Sequence, residues 1–219
     1  MAVKSSLPLS VLFEDADIIV IDKPAGRIVH PAPGHESGSI TEELVKRRPE
    51  MAGVGSAERP GVVHRLDQDT SGVMVFAKNR AAYLDLRRQF ESHETVEKKY
   101  LAILHGAPKE RRGTLDGPVG RELLRAITHW EVLAKHGPVA LVQFAIETGR
   151  MHQIRIHAAE LGHPVVGDRT YGDAEKDRRL RVKPKRHLLH AVELSFLHPR
   201  TRKRVTFTAP PPSDLVYAG

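Results

Sequence analysis

Cysteine is absent from the 219 residues of the chain. Its absence excludes disulfide bonds, thiolate nucleophiles and zinc sites built from cysteine, and it fits the cytoplasm, where disulfides are rare. No apolar run approaches the roughly 18 residues that a membrane-spanning helix needs. The N-terminal stretch reaches Glu14 and Asp15 without the long apolar segment of a signal peptide. We therefore expect a cytoplasmic protein with no membrane span.

Acidic residues are too few to balance the basic ones. The chain has 34 Lys and Arg against 27 Asp and Glu, a formal net charge of +7 and a pI of about 9.8. This balance favours a polyanionic partner, of which RNA and DNA are the commonest. A length of 219 residues with 40% apolar residues allows one well-buried core. We expect a single domain over residues 12–212, with a leader at 1–11 and a tail at 213–219.

The most informative stretch is Gly61–Lys78, with the sequence GVVHRLDQDTSGVMVFAK. His64, Arg65 and Asp67 lie in a predicted loop, and the apolar run Val73–Ala77 predicts a buried strand directly after it. Loops at the ends of rigid strands often carry catalytic residues. Taken alone, however, an acid and a guanidinium two residues apart could equally be a surface pair worth under about 1 kcal/mol.

The segment HRLDQDTSG resembles the HRLD-x-x-T-[ST]-G motif of the RluA-type pseudouridine synthases. The resemblance implies that Asp67 is the catalytic residue and that Arg65 helps to displace the target base from RNA. It also makes His64 and Thr70, which flank these two residues, candidate RNA contacts. The decision between a surface pair and an active site therefore depends on whether the other motifs of that family are present.

A second motif lies in Val96–Leu104, whose composition predicts a strand. Lys98 and Tyr100 fall on one face of this strand, because side chains alternate with a period of two. A lone tyrosine in a strand is usually a core residue with a satisfied hydroxyl. The pattern K-x-Y-x-A resembles the second motif of the same family, which implies that Tyr100 lies in the active site and that Lys98 contacts RNA.

The third motif occupies Thr148–Gly172, where Met151–Leu161 predicts a helix. By itself this pattern is typical of an ordinary amphipathic helix. The stretch nevertheless resembles the family pattern TGR-x-HQIR-x-H…GHP-x-x-GD-x-x-YG at almost every position. The resemblance implies that Arg150 pairs with the catalytic aspartate. We expect His152 and Arg155 to contact RNA.

Two further segments resemble the first and last motifs of the family. They are KPAGRIVHP, at Lys23–Pro31, and LHAVELSFLHP, at Leu189–Pro199. One departure is visible, because Arg27 stands where relatives usually have an apolar residue. The resemblance covers roughly residues 12–210. Many relatives carry a small RNA-binding domain before the catalytic one, and we expect none here because the stretch before residue 12 is too short.

Local patterns predict the main secondary structure elements. Ser39 followed by Glu42 is a capping box for a helix through residue 47, and Asn79 is an N-cap for a helix through about residue 93. Two strands joined by a turn at Gly137 indicate an antiparallel hairpin. Together with the family resemblance, this predicts a mixed α/β (α+β) pseudouridine synthase fold with a largely antiparallel central sheet flanked by helices.

The stretch 173–187 is rich in lysine and arginine, and we expect it to be a loop. Such runs are usually just solvated. Because it follows a candidate active site in a basic protein, we favour contacts to the RNA backbone through Arg178, Arg179 and Lys183.

The implied reaction breaks the carbon–nitrogen glycosidic bond of uridine and rejoins the uracil through carbon 5. It involves no redox change, so we expect no cofactor and no metal. Asp67 would act as a nucleophile or as a base, and the sequence leaves both routes open. Arg150 would keep that carboxylate ionised and Tyr100 would stack on the uracil. Arg65 would occupy the position of the flipped base.

Two other functions remain open at this point. One is a non-catalytic RNA-binding module of the same fold. The other is a metal-dependent hydrolase, although the HExxH spacing is absent. Its candidate ligands would be His64, Asp67, His152, His157, His163 and Asp168. If the chain is a synthase, both large-subunit ribosomal RNA and transfer RNA are plausible substrates. We expect a monomer with no obligatory protein partner.

Overall fold

A computed structural model describes residues 9–32, 34, 37–120 and 122–216. Most of the expected leader, residues 1–8, and the last three residues of the expected tail lie outside this part of the chain. The fold divides into two compact units. The first comprises residues 1–96 and 194–209, and the second 97–193 and 210–219. Within the described ranges, no helix is long and apolar enough to cross a membrane.

The first unit is built on three antiparallel strands. They are β1 (Ser10–Glu14), β2 (Ile18–Lys23) and β3 (Ser71–Ala77). β2 pairs with both of the others, and all seven residues of β3 are buried. A continuous apolar run suits a strand that is covered on both faces. The strand predicted over Val73–Ala77 is therefore confirmed and begins two residues earlier.

Two capped helices belong to the first unit, as the sequence predicted. In α1 (Ile40–Arg47), Ser39 and Glu42 form the reciprocal capping box. In α2 (Arg80–Ser92), the Asn79 side chain accepts a hydrogen bond from the backbone of the first turn. These side chains satisfy amide groups that a helix N-terminus otherwise leaves without partners.

Arg27, the departure from the family pattern, is also accounted for in the first unit. Its guanidinium lies 2.6 Å from the Glu43 carboxylate on α1 and donates to the carbonyl oxygens of Gly38 and Ser39. The charge is thus paired where relatives have an apolar side chain. The loop that follows β2 is consequently tied to the N-terminal part of α1.

The second unit contains four antiparallel strands in the order β4-β7-β6-β5. Their bounds are β4 (Glu97–His105), β5 (Arg112–Val119), β6 (Leu124–His136) and β7 (Val139–Ile146). β6 and β7 form the predicted hairpin at Gly137. With antiparallel pairing in both units and helices beside the strands, the predicted fold class is confirmed.

The remaining elements are α3 (Gln153–Glu160), α4 (Ala174–Arg179), β8 (Leu189–Leu197), β9 (Arg204–Thr208) and α5 (Ser213–Val216). α4 lies where the sequence predicted only a loop. Within the expected tail, Leu215 packs in the core of the second unit with Ile103, Val139, Val166 and Leu188. The boundary predicted for the leader falls inside β1.

Candidate active site

The loop that carries Asp67 is held in place by main-chain hydrogen bonds. Gly26 N donates to Gln68 O at 2.9 Å, and Thr70 N donates to Asp67 O at 3.1 Å. The Gln68 side chain returns a bond to Gly26 O at 3.2 Å. Asp67 is half-buried and Arg65 is exposed. The backbone of the loop is therefore fixed by main-chain groups and by Gln68. The exposed Arg65 guanidinium takes no part in these hydrogen bonds.

Lys23, at the end of β2, is the cationic anchor of this loop. Its side chain is fully buried, and its ammonium donates to Pro24 O at 2.9 Å and to Gln68 O at 2.8 Å. Burying a charge is costly unless it is hydrogen-bonded, so these acceptors are part of the structure of the loop. Lys23 belongs to the KPAG segment, but no role was predicted for it from the sequence. Its place directly before Pro24 was the signal that could have indicated an anchoring role.

His64 and Thr70 were expected to contact RNA, but both are engaged in the structure of the first unit. His64 Nε2 accepts the Val75 amide at 3.1 Å, and its ring stacks on Phe90 at 4.5 Å with an interplanar angle of 7°. Thr70 is only 2% exposed. The His64 ring thus packs the loop against β3 and α2. The expected contact of both residues with RNA stays a prediction.

Lys98 and Tyr100 lie on the same face of β4, as predicted, and both are more than nine-tenths buried. The Lys98 ammonium donates to Thr148 O at 3.3 Å. Burial, together with the nearby positive charge of Arg150, lowers the pKa of Lys98 to about 8. The contact of Lys98 with RNA that the sequence predicts stays a prediction.

The turn that carries Arg150 is organised by Gln153, the first residue of α3. Gln153 Oε1 accepts from Thr148 Oγ1 at 2.8 Å and from the Arg150 amide at 3.0 Å. Its amide group donates to Ile127 O and Thr128 Oγ1 on β6. Arg150 itself is exposed, with Nε 3.3 Å from Arg125 O. Gln153 was not among the predicted site residues, although the Q of HQIR was the available signal.

Arg155, expected to contact RNA, forms a buried ion pair with Asp168. Nε and Nη2 of Arg155 donate to the two carboxylate oxygens at 2.6 and 2.8 Å, and both side chains are nearly inaccessible to solvent. Burial opposes ionisation of Asp168, but Arg155 and the amides of Tyr171 and Thr170 outweigh it and hold the pKa of Asp168 below its usual value. The Arg155 guanidinium is thus committed to Asp168 within the fold, and its expected contact with RNA stays a prediction.

His152 precedes α3 in a left-handed conformation, with φ +56°. Its Nδ1 lies 3.1 Å from the Tyr171 hydroxyl, and the two rings meet edge to face. This contact joins the start of α3 to the end of the third motif. His152 remains partly accessible, so its expected contact with RNA stays a prediction.

Of the basic stretch, Arg178, Arg179 and Lys183 are exposed. Arg179 pairs with Glu175 one turn earlier on α4, and the Lys183 ammonium donates to Leu180 O at 2.6 Å. Their expected contact with RNA stays a prediction. Arg186, counted in the same basic run, is buried and makes a bidentate pair with Asp214 on α5. Arg186 is thus part of the fold.

Among the residues that the structure describes, one group could offer three ligands to a metal ion, namely Asp15, Asp17 and His198. This group is already satisfied, because Arg200 makes a bidentate bond to Asp17 and His198 donates to Asp15. It contains none of the six residues considered for a metal-dependent hydrolase. Arg200 neutralises the charge of Asp17, and Asp15 accepts a hydrogen bond from His198.

Comparison with known proteins identifies the class. The family model for RNA pseudouridylate synthases matches residues 17–160. An uncharacterized RNA pseudouridine synthase of Synechocystis is 40% identical, with 96% of this chain and 68% of that protein covered. The ribosomal large subunit pseudouridine synthase D of Zymomonas mobilis is 35% identical, with 95% and 71% covered.

A solved structure shows the same fold. Human RNA pseudouridylate synthase domain containing 1 superposes with a TM-score of 0.75 at 28% identity, covering 98% of this chain and 89% of that one.

The chain belongs to the RNA pseudouridylate synthase family. It is an enzyme that isomerises uridine in RNA to pseudouridine, and RNA is its substrate. Isomerisation, and not RNA binding alone or metal-dependent hydrolysis, is therefore its activity. The geometry described above shows which side chains are committed to the fold and which remain accessible for this reaction.

Proposed function

We propose that the substrate is large-subunit ribosomal RNA, modified in the cytoplasm by a monomer of this chain acting as one catalytic domain. The supporting observation is the similarity to three proteins named ribosomal large subunit pseudouridine synthase D. They are 35–39% identical over 95–98% of this chain. Transfer RNA is the competing substrate. The absence of cysteine agrees with a reducing compartment.

We propose that Asp67 is the catalytic group. Its carboxylate is half-buried on a loop whose backbone is fixed by Gly26 and Lys23. A fixed backbone supports a constant position of the carboxylate relative to a bound nucleotide. Asp67 would attack the anomeric carbon of the ribose or remove the neighbouring sugar proton. Both routes require the ionised carboxylate, and we expect Arg150 to favour that form.

Tyr100 and Arg150 are proposed as the other two catalytic residues. For Arg150 the support is its exposure on a turn that Gln153 makes rigid. For Tyr100 it is the position beside Lys98 on one face of β4. The assignment of Asp67, Tyr100 and Arg150 as catalytic residues is supported by the resemblance of all three motifs to those of the family. Arg65, exposed on the same loop as Asp67, is proposed to take the place of the flipped base.

Lys98 is proposed to act on the uracil. When the N1–C1′ bond breaks, its electron pair stays on the base, and the negative charge spreads to the carbonyl oxygens of the ring. An ammonium beside Tyr100 would donate a hydrogen bond to one of these oxygens. A preorganised cation in a buried site stabilises developing charge far better than one in water does. This explains why a lysine that is costly to bury would be useful there.

The substrate is tested by mapping pseudouridines in total RNA from cells that lack the gene. Loss of one or more pseudouridines from large-subunit ribosomal RNA is the expected result, and loss from transfer RNA alone would refute that substrate. Purified protein should then release tritium from an unmodified large-subunit transcript labelled at carbon 5 of uridine. Light scattering of the same preparation should give the mass of one chain, 24.4 kDa.

A further inference from the structure

The second unit contains a pocket of about 390 Å³ that the catalytic residues do not use. Its lining combines flat or apolar side chains with two cations, namely His105, Pro138, His163, Leu180, Lys176 and Arg179. The volume falls at the lower end of the roughly 300–1,000 Å³ range of small-ligand pockets. It is therefore of a size for one small organic group.

The walls of the pocket are held by buried hydrogen bonds. Asp177, on α4, accepts from His105 Nε2 at 2.8 Å and from the Gly167 amide at 3.0 Å, which fastens α4 to β4. His163 Nδ1 donates to His105 O at 2.9 Å, so its ring is fixed as well. A Cβ on Gly106 would lie 3.1 Å from that nitrogen, and a glycine there leaves the ring room. The pocket is thus preformed.

Its chemistry matches a ribonucleotide. Aromatic rings such as imidazole provide stacking surfaces for nucleobases, and exposed lysine and arginine bind phosphate. Lys176 lies 3.3 Å from Asp173, and Arg179 pairs with Glu175. Three of these side chains are exposed to solvent, and Asp173 is partly exposed. Exposed pairs of this kind are worth little, so a phosphate can replace the acids at small cost.

The pocket is separate from the catalytic residues of this unit. His105 follows Tyr100 by five residues on β4, which places it about 17 Å further along the strand. Residues an odd number apart point to opposite faces, so His105 and Tyr100 do not share one. A ligand bound by His105 and its neighbours would not occupy the position of the reacting uridine beside Tyr100.

We propose that this pocket binds a second, unpaired nucleotide of the RNA substrate, with its base against His163 and its phosphate between Lys176 and Arg179. The proposal rests on the proposed function and adds to it an interaction that sets affinity without taking part in the chemistry. A structured RNA that presents an unpaired nucleotide at the right distance from the target uridine would be preferred over one that does not.

The test compares two double variants that each remove two exposed cations from the second unit. In the first, Lys176→Ala is combined with Arg179→Ala. In the control, Lys109→Ala is combined with Arg111→Ala, outside the pocket. Binding of an unmodified large-subunit transcript is measured against salt concentration. The pocket variant should lower the log–log salt slope by about 0.7–0.9, the value for the one phosphate that is no longer neutralised, and the control should change it less.

A second comparison separates stacking from charge. His163→Ala should weaken RNA binding roughly tenfold, and His163→Phe, which keeps a ring, should largely restore it, since stacking on an aromatic side chain is worth about 1–3 kcal/mol per base. Circular dichroism checks folding. If the alanine variant is unfolded, His163→Gln, which keeps a donor but no ring, takes its place. Tritium release at saturating RNA should stay at the wild-type rate in the folded His163 variants.

Equal salt slopes for the two double variants would overturn the proposal that the pocket binds a nucleotide. Equal RNA binding by His163→Phe and by the variant without a ring, His163→Ala or His163→Gln, would overturn it too. A fall in the saturated rate would overturn it as well, because the pocket would then act in catalysis. These outcomes differ from failure of the proposed function, which would appear as no tritium release by the wild-type protein on this RNA.

Discussion

The two motif-bearing regions hold their functional residues in different ways. In the first unit, the loop with Asp67 and Arg65 is fixed by main-chain bonds and by one buried ammonium, that of Lys23. In the second unit, the Gln153 side chain fixes the turn with Arg150, and the buried Arg155–Asp168 pair anchors α3, the helix that follows.

The comparison shows that buried and exposed residues of one motif have different roles. In both regions an exposed arginine, Arg65 or Arg150, is accessible to substrate, and buried polar neighbours hold the backbone in place. A motif arginine can therefore belong to either group, and only its burial and partners tell which. Each region should accordingly fail in its own manner when its anchor is removed.

The largest effect on stability should come from the side-chain anchor. Arg155→Met leaves the Asp168 carboxylate buried without its cation, which typically costs about 3–5 kcal/mol. The matched control, Arg150→Met, removes an exposed guanidinium and should cost under about 1 kcal/mol. Urea unfolding monitored by circular dichroism measures both. Similar losses in the two variants would mean that Arg155 is not the structural member of the motif.

Lys23, the buried anchor of the Asp67 loop, should matter for stability and for rate, and its loss should show most clearly in the rate. Lys23→Met removes two charge-assisted hydrogen bonds, each worth about 1.5–3 kcal/mol, and frees the backbone at Gln68. We expect the variant to fold, to bind RNA and to release tritium at least tenfold more slowly, because Asp67 is no longer held. Lys46→Met, which changes an exposed lysine on α1, is the control. Wild-type turnover by Lys23→Met would separate this anchor from catalysis.

The role proposed for Lys98 predicts a distinctive pH dependence. Because the pKa of Lys98 is lowered to about 8, its ammonium is present below that pH and is lost as the pH rises through it. Tritium release should therefore decline above about pH 8 in the wild-type protein. Lys98→Arg stays charged in this range, so its residual activity should continue to higher pH. An alkaline limb at the same pH in both proteins would assign Lys98 to a purely structural task.

The smallest effect should be that of Arg65, and it should depend on the RNA. Flipping a paired nucleotide costs a few kcal/mol, and an unpaired one costs less. Arg65→Ala should slow turnover of a folded transcript several-fold more than that of a short unstructured oligonucleotide containing the same uridine. Equal losses on the two substrates would contradict the assistance to base flipping.

Local signals were read correctly from the sequence because they depend on neighbours only. The caps at Ser39 and Asn79 and the hairpin at Gly137 are of this kind. β5 was missed because its sequence, RGTLDGPV, contains glycine and proline and resembles a loop. A Cβ on Gly113 would lie 2.7 Å from the Trp130 ring on β6, so the glycine is needed for a close approach that only the paired strand reveals.

The sequence predicted which motifs form the site. It did not predict which residues of each motif are buried and structural and which are exposed. Arg150 and Arg155 stand five residues apart in one motif, and nothing local to either distinguishes them. The partner that buries Arg155 is Asp168, thirteen residues away. Likewise, the burial of Lys98 and Lys23 arises from strands and loops distant in sequence. Periodicity indicates which face a residue lies on, but not what covers that face.

The most direct test of the account is tritium release from carbon 5 of uridine by Asp67→Asn. Asparagine is nearly the same size and still accepts hydrogen bonds, but it cannot serve as a nucleophile or as a strong base. The variant should unfold at the same urea concentration as the wild-type protein and bind the same transcript with similar affinity, yet release no detectable tritium. Release at the wild-type rate would contradict the assignment of Asp67 as the catalytic group.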